Sequence, residues 1–192
     1  MGRYPGKATC DVSGLLLDEL RPVLAINLSA AEAADADGLL NDSATDTTDA
    51  KTYTTMIAQP PQARQLTFTP SASADAGNIT VVGTDIEDNP ITDSIATSTT
   101  NAVTSAKAFK TVTSVTYPKD DGGITWDAGW NEALGLPLKL AEAPFYLEKF
   151  NGVVDFSTNG TFSVSSTDLA KNFFDPNGDL DGAKPLQLLL FI

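Results

Sequence analysis

The residues best suited to chemistry in this chain are carboxylates. Asp175, Asn177, Asp179 and Asp181 stand at positions 1, 3, 5 and 7 of the run Asp175-Pro176-Asn177-Gly178-Asp179-Leu180-Asp181-Gly182. That spacing can wrap oxygen ligands around Ca²⁺, which takes six to eight of them. The EF-hand pattern then breaks, because Leu180 stands where Gly is required and Leu186 where the bidentate Glu belongs. Pro176, Asn177 and Gly178 equally suit a tight acidic turn that needs no metal. Paired carboxylates at Asp18-Glu19, Glu87-Asp88 and Asp120-Asp121 raise glycoside hydrolysis, which needs two carboxylates facing across a cleft. Sequence neighbours do not supply that geometry, and solvated loops are expected. Trp126, Trp130, Phe145 and Tyr146 offer a sugar-stacking platform, although such residues more often anchor cores and interfaces. Lys107, Lys110 and Lys119 form the densest basic cluster and are expected to pair with neighbouring subunits rather than phosphate. Cys10 has no base beside it in the sequence, so a small half-buried hydrophobe is expected rather than a thiolate.

Composition removes most other chemistry. The 192 residues include no His and one Cys. Ser-His-Asp triads, His-ligated metals and imidazole acid–base catalysis are excluded, as are an intrachain disulfide and a Cys-rich zinc site. Gly122-Gly123 and Gly135 make no phosphate loop. Twelve Lys and Arg against 25 Asp and Glu give a net charge of −13, which opposes binding to nucleic acid. No catalytic, cofactor-binding or metal-ligating residue is assigned, and neither an enzyme nor a cofactor is expected. The hydrophobic fraction of 42% is enough for a core, and a domain of this size buries about 70% of its unfolded surface. Leu15 to Leu17 is too short for a signal-peptide core, and the apolar run Pro185 to Ile192 is far short of a bilayer. A soluble protein made in a reducing cytoplasm is expected.

The organisation along the chain is that of a β protein. Residues 29–52 are small, polar and acidic; Ala31 to Asp37 lacks an apolar stripe, which predicts a loop or surface turn. From Arg64 the period becomes two, with Leu66 and Phe68 on one face and then Ile79 and Val81. Glu87-Asp88-Asn89-Pro90 separates the Ile79 strand from Ile91 to Ile95, predicting a hairpin. Asp93 shares a face with Ile91 and Ile95, so either a bulge turns it outward or that face is wet. Residues 102–117 are rich in Thr and Val and predict a strand with a bulge or bend, since Phe109, Val112 and Val115 recur every three residues. Pro118 ends it, Asp120 to Gly123 turn, and Ile124 to Trp126 begin another strand. Between Val153–Ser157 and Thr161–Ser165, a three-residue loop Thr158-Asn159-Gly160 pairs Phe156 with Phe162 and Val154 with Val164, placing all four on one face. Thr167-Asp168 predicts the start of a short helix over Leu169 to Phe174. Leu186 to Ile192 is expected to be a last strand or a docking arm. The whole predicts an all-β fold, a β-sandwich or small barrel of short antiparallel strands with little helix. Its parts are an N-terminal arm, 1–28, a β domain, 29–182, containing a 144–166 hairpin, and a C-terminal strand or arm, 183–192.

One succession of phrases is distinctive. It comprises Ala30 to Gly38, Ala63 to Phe68, Gly77 to Asp85, Pro90 to Ile95, Lys107 to Val115 and Gly129 to Pro137. This succession resembles small β-rich structural proteins encoded among the head and tail genes of tailed bacteriophages. The resemblance covers residues 30–137; residues 138–192 lie outside it. It implies a virion structural protein with no catalytic residues, most simply a decoration or cement protein on the capsid surface. Such a protein would be made in the host cytoplasm and would bind the major capsid protein and copies of itself, with a trimer favoured. The alternatives are a tail or neck protein, with residues 102–117 as a tube-closing insertion, and a carbohydrate-binding adhesive β-sandwich, with Trp126, Trp130 and Tyr146 exposed together. Segments 1–28 and 183–192 are expected to carry contacts between subunits, because an apolar tail must be covered by its own core or by a partner.

Overall fold

The computed structural model describes residues 23–154 and 160–191, together with the backbone pairing of β1 (Ala8–Thr9) and β2 (Leu16–Leu17). The fold is all-β and its sheets are antiparallel. The remaining strands are β3 (Val23–Ser29), β4 (Asp35–Ala44), β5 (Lys51–Tyr53), β6 (Arg64–Pro70), β7 (Asn78–Thr84), β8 (Pro90–Ala96), β9 (Val103–Phe109) and β10 (Thr111–Tyr117). They are followed by β11 (Thr125–Gly135), β12 (Phe145–Phe150), β13 (Val153–Val154), β14 (Thr161–Ser163), β15 (Phe173–Asp175) and β16 (Leu186–Phe191). One sheet has the order β5-β10-β7-β8. A second runs β14-β15-β11-β6-β9, with β4 also paired to β11. A third runs β13-β12-β16-β3. Among the described residues, no helix is long and apolar enough to cross a membrane.

Two hydrophobic cores form, and the eleven-residue β11 contributes to both. The first core lies between the first two sheets and takes Leu66 and Phe68 from β6, Ile79 and Val81 from β7, Val112 and Val115 from β10, and Trp126 and Trp130 from β11. Alternation along β6 and β7 delivers these side chains to one face. Tyr117 stacks on Trp126 with ring centroids 5.9 Å apart. Its buried hydroxyl has no hydrogen-bond partner among the described residues, and burial pushes its pKa up. An orphaned buried donor costs about 1–3 kcal/mol. Tyr117→Phe should therefore raise the denaturant midpoint by the equivalent of about 1 kcal/mol; a lowered midpoint would show that the hydroxyl is bonded.

Three expectations for this half need correction. Residues 29–52 are not loop alone. Asp35–Ala44 is a strand held by backbone pairing to β11, with slips in register that bury both Leu39 and Leu40 and hide the alternation. Gly129 permits the crossing, since a Cβ there would overlap the Asp35 carbonyl oxygen. Residues 102–117 are not one strand. The chain bends at Lys110, so β9 lies in one sheet and β10 in the other, with a further bulge between Val112 and Ser114. The predicted bend and bulge are both present. Asp93 is neither bulged outward nor wet. The β7–β8 hairpin runs in unbroken register and Asp93 is buried. It accepts the backbone N–H of Ala106 in β9 at 2.6 Å and that of Ser94 at 3.0 Å, joining two sheets. Asp93→Ala strands the Ala106 donor and should cost about 1–3 kcal/mol in chemical denaturation. A change within ±0.5 kcal/mol would dismiss this bridge.

The second core gathers Ile26, Leu134, Leu136, Leu140, Phe174, Leu180, Leu186, Leu188 and Leu190. β16 is the strand predicted at the C-terminal end, and it lies inside its sheet between β12 and β3. Segments drawn at opposite ends of the chain thus pair with each other. The apolar tail finds its own core on the face that carries Leu186, Leu188 and Leu190. The Val154–Val164 pairing is not formed: Val154 lies opposite Lys149, and β14 pairs with β15. Asn151-Gly152, both at positive φ, make the two-residue turn between β12 and β13, a type I′ signal eight residues before the one predicted at Asn159-Gly160. The 144–166 hairpin is therefore replaced by the short β12–β13 hairpin, while Phe156 and Thr158-Asn159 lie outside the described residues. The helix over Leu169–Phe174 shrinks to one 3₁₀ turn, Leu169–Lys171, capped as expected by Asp168. Phe173 and Phe174 go to β15 because Phe174 packs against Phe162 and Tyr146.

Candidate functional site

The acidic clusters are spent on building turns. The Asp85 carboxylate accepts the backbone N–H groups of Glu87 and Asn89. Asp120 is buried and accepts those of Asp75 and Gly122. Among the described residues, no three carboxylate or thiol side chains converge as a metal site. The Asp175–Gly182 run is anchored by its own chain. Leu180 is buried in the second core, its N–H held at 2.7 Å by Glu132, and the Gly182 N–H binds the Ala31 carbonyl. The Asp181 carboxylate receives the Lys184 ammonium at 2.9 Å, then the N–H groups of Lys184 and Ala183. These bonds draw its pKa down to about 2. A depressed carboxyl supports the fold above its ordinary pKa, and that support is lost as pH falls through about 2. NMR titration should place the Asp181 midpoint near 2, and Lys184→Met should move it up toward 3.8. An unmoved midpoint would remove the ammonium as the principal cause.

Two other candidates are relocated. Trp126 and Trp130 are 1% and 5% exposed, so the tryptophan half of the expected sugar platform is core, while Phe145 stays exposed. The tryptophans' spacing on β11 sends both rings to the same buried face. The lysines expected to meet neighbours are occupied within the chain: Lys107 with Asp168 at 3.4 Å, Lys110 with Asp88 at 2.8 Å and Lys119 with Asp121 at 3.1 Å. Arg64, fully buried in β6, donates to the Asn131 and Glu32 carbonyls. Burial pulls its pKa down to about 10 against the opposing pull of Glu132 and Glu32, so it remains a cation at neutral pH and serves the fold. Cys10, Asp18 and Glu19 lie outside the described residues.

What remains is the outer face of the β13-β12-β16-β3 sheet. Leu186, Leu188 and Leu190 point into the second core, so Gln187, Leu189 and Phe191 point away from it. Residues directly opposite share a face. Phe191 lies between Phe145 and Val23, and Leu189 between Leu147 and Ala25. Two adjacent apolar rows result, bordered by a polar row of Lys149, Gln187 and Asn27. Phe145 is 73% and Val23 53% exposed, and the Phe145 and Phe191 rings lie 5.5 Å apart. Beside them runs a shallow groove of about 340 Å³ lined by Leu138 to Phe145 and Phe191. The signal for this face was present in the sequence: Leu188-Leu189-Leu190-Phe191 does not alternate, and an unbroken apolar strand is one meant for burial on both faces. Leu147, Ala25 and Val23 carry no such signal alone, because only the register places them together. Comparison with protein-family models, curated protein sequences and solved structures finds no match for the chain.

Proposed function

We propose that this chain is a structural protein of a tailed-bacteriophage virion, a decoration or cement protein that stabilises the head from outside. The observation that carries this reading is the apolar outer face of the β13-β12-β16-β3 sheet, exposed at Phe145 and Val23. Monomeric proteins rarely leave such a face open without a partner. The resemblance of residues 30–137 to phage structural proteins supports the choice of partner, the major capsid protein. The mechanism is added interface at junctions between capsomers. Covering about 400 Å² of apolar surface contributes about 10 kcal/mol before the costs of association. The charge of −13 keeps free subunits apart and soluble until they dock.

The test is co-sedimentation of the purified protein with heads, and separately with tails, from the encoding phage lacking this product. Saturable binding to heads with a raised head melting temperature is expected, and Phe145→Lys with Leu189→Lys should weaken it at least about tenfold. Binding to tails alone would move the protein to the tail or neck. Absence of binding to either would overturn the virion reading.

A further inference from the structure

The long edges of these sheets are not treated alike. An exposed strand edge offers unpaired N–H and C=O groups and invites another chain, so folds shorten, charge or cover such edges. β5, β13 and β14 are three residues or shorter. β4 carries Asp35, Asp37 and Asp42, and the N–H groups of Ile57 and Ala58 bind its Leu39 and Gly38 carbonyls. β8 begins with Pro90, and Asp93 ties it to β9. β3 has none of these devices. It is seven residues long, reads Val-Leu-Ala-Ile-Asn-Leu-Ser without charge or proline, and pairs on one side with β16. Among the described residues, its other edge pairs with no strand.

Charge narrows the choice of occupant. The four strands of the β3 sheet carry one acid, Glu148, and one base, Lys149, in a chain of net −13. Two copies approaching through most other surfaces bring acidic groups together, whereas this sheet meets its twin without net repulsion. The other seven-residue edge strands, β8 and β9, are tied to each other through Asp93 and the Ala106 N–H, and β9 carries Lys107, so among the described strands a head-to-tail contact has no bare edge to offer β3. A two-fold contact needs only the same edge twice.

We propose that β3 of one copy pairs antiparallel with β3 of a second copy about a two-fold axis, joining two four-stranded sheets into one of eight. The outer apolar rows then run continuously across the joint. This pairing goes beyond the head-protein reading and stands or falls without it.

The test is absolute mass by light scattering on a sizing column, with full-length protein over about 1 to 100 μM, together with amide hydrogen exchange of residues 23–29. The chain should run as a dimer with those amides protected. Ala25→Lys with Asn27→Lys sets like charges opposite each other across the joint. It should raise the dimer dissociation constant about tenfold or more and release the protection. Asn27→Lys alone should act in the same direction and provides a second reading should the double variant lose its fold. Ala72→Lys with Ala76→Lys, on an exposed loop, should leave the dimer intact. Any of four results overturns the proposal. These are a monomer throughout, a discrete trimer, a dimer indifferent to the β3 lysines, and protection of residues 23–29 in a monomer. The last would assign the edge to residues 1–22 of the same chain. A lysine variant that is monomeric yet still binds heads would separate this contact from the head-binding function.

Discussion

A chain ended at Pro185 will lose its second hydrophobic core and keep its first. β16 is the inner strand that joins β12 to β3, and Leu186, Leu188 and Leu190 are all fully buried. Without them the second core retains no continuous sheet. The first core draws nothing from β16. Both tryptophans belong to it, so they report on that half alone. The truncated protein should keep blue-shifted tryptophan emission while tyrosine near-UV signal from Tyr146 is lost. Leu188→Ala is the milder form and should cost about 2–5 kcal/mol, also without an early change in tryptophan emission. Simultaneous loss of both signals at one denaturant concentration would show instead that β11 welds the two cores into one cooperative unit.

Replacing Asn172 will be nearly as damaging, although the substitution is one polar side chain. Asn172 is fully buried. Its Oδ1 accepts the N–H groups of Leu140 and Ser165, both at 2.9 Å, and its Nδ2 donates to the carbonyls of Ser165 and Asp168. Three loop segments are therefore held by one amide. Asn172→Leu fits the volume but orphans the N–H groups of Leu140 and Ser165 and the Ser165 carbonyl, while the Asp168 carbonyl keeps the Lys171 N–H; at about 1–3 kcal/mol for each unsatisfied group a loss of about 3–6 kcal/mol is expected. Asn172→Asp keeps the acceptor and turns a carboxylate toward two carbonyls. Burial and those carbonyls raise the pKa of such a group, so the native state binds the extra proton and the variant gains stability as pH falls. Urea midpoints of wild type and Asn172→Asp should converge between about pH 7 and pH 4. Parallel curves would mean that the side chain is not buried in this network.

The strands that could be read from the sequence are those whose side chains divide cleanly between core and solvent. Leu66 and Phe68, Ile79 and Val81, and the β7–β8 hairpin are where alternation puts them. β4 was not legible, because its burial comes from slipped pairing with β11, and a slip leaves adjacent Leu39 and Leu40 both inside. The sequence around Leu169–Phe174 holds a good cap at Asp168, yet tertiary contacts of Phe174 override the local helix signal after a single turn. At the candidate site, Phe145 was visible only as part of an aromatic set. Its true neighbour Phe191, and Val23 on the far side of Phe191, are remote in sequence and meet only through strand register. The carboxylates that meet Lys107 and Lys110, Asp168 and Asp88, likewise come from elsewhere in the fold.

The pairing of β3 with β16 also sets a timetable for synthesis. β3 leaves the ribosome more than 150 residues before the strand that covers it. At about 5–20 residues per second that interval is on the order of ten to thirty seconds. The strands of the first core can assemble during it, while an uncharged, strand-prone Val23–Ser29 waits with both edges bare. Nascent chains on one polysome are then close enough to find one another's β3 before their own β16 exists. Yield from a cell should consequently depend on translation speed and on chaperones that shield extended apolar segments, more than on the stability of the finished protein.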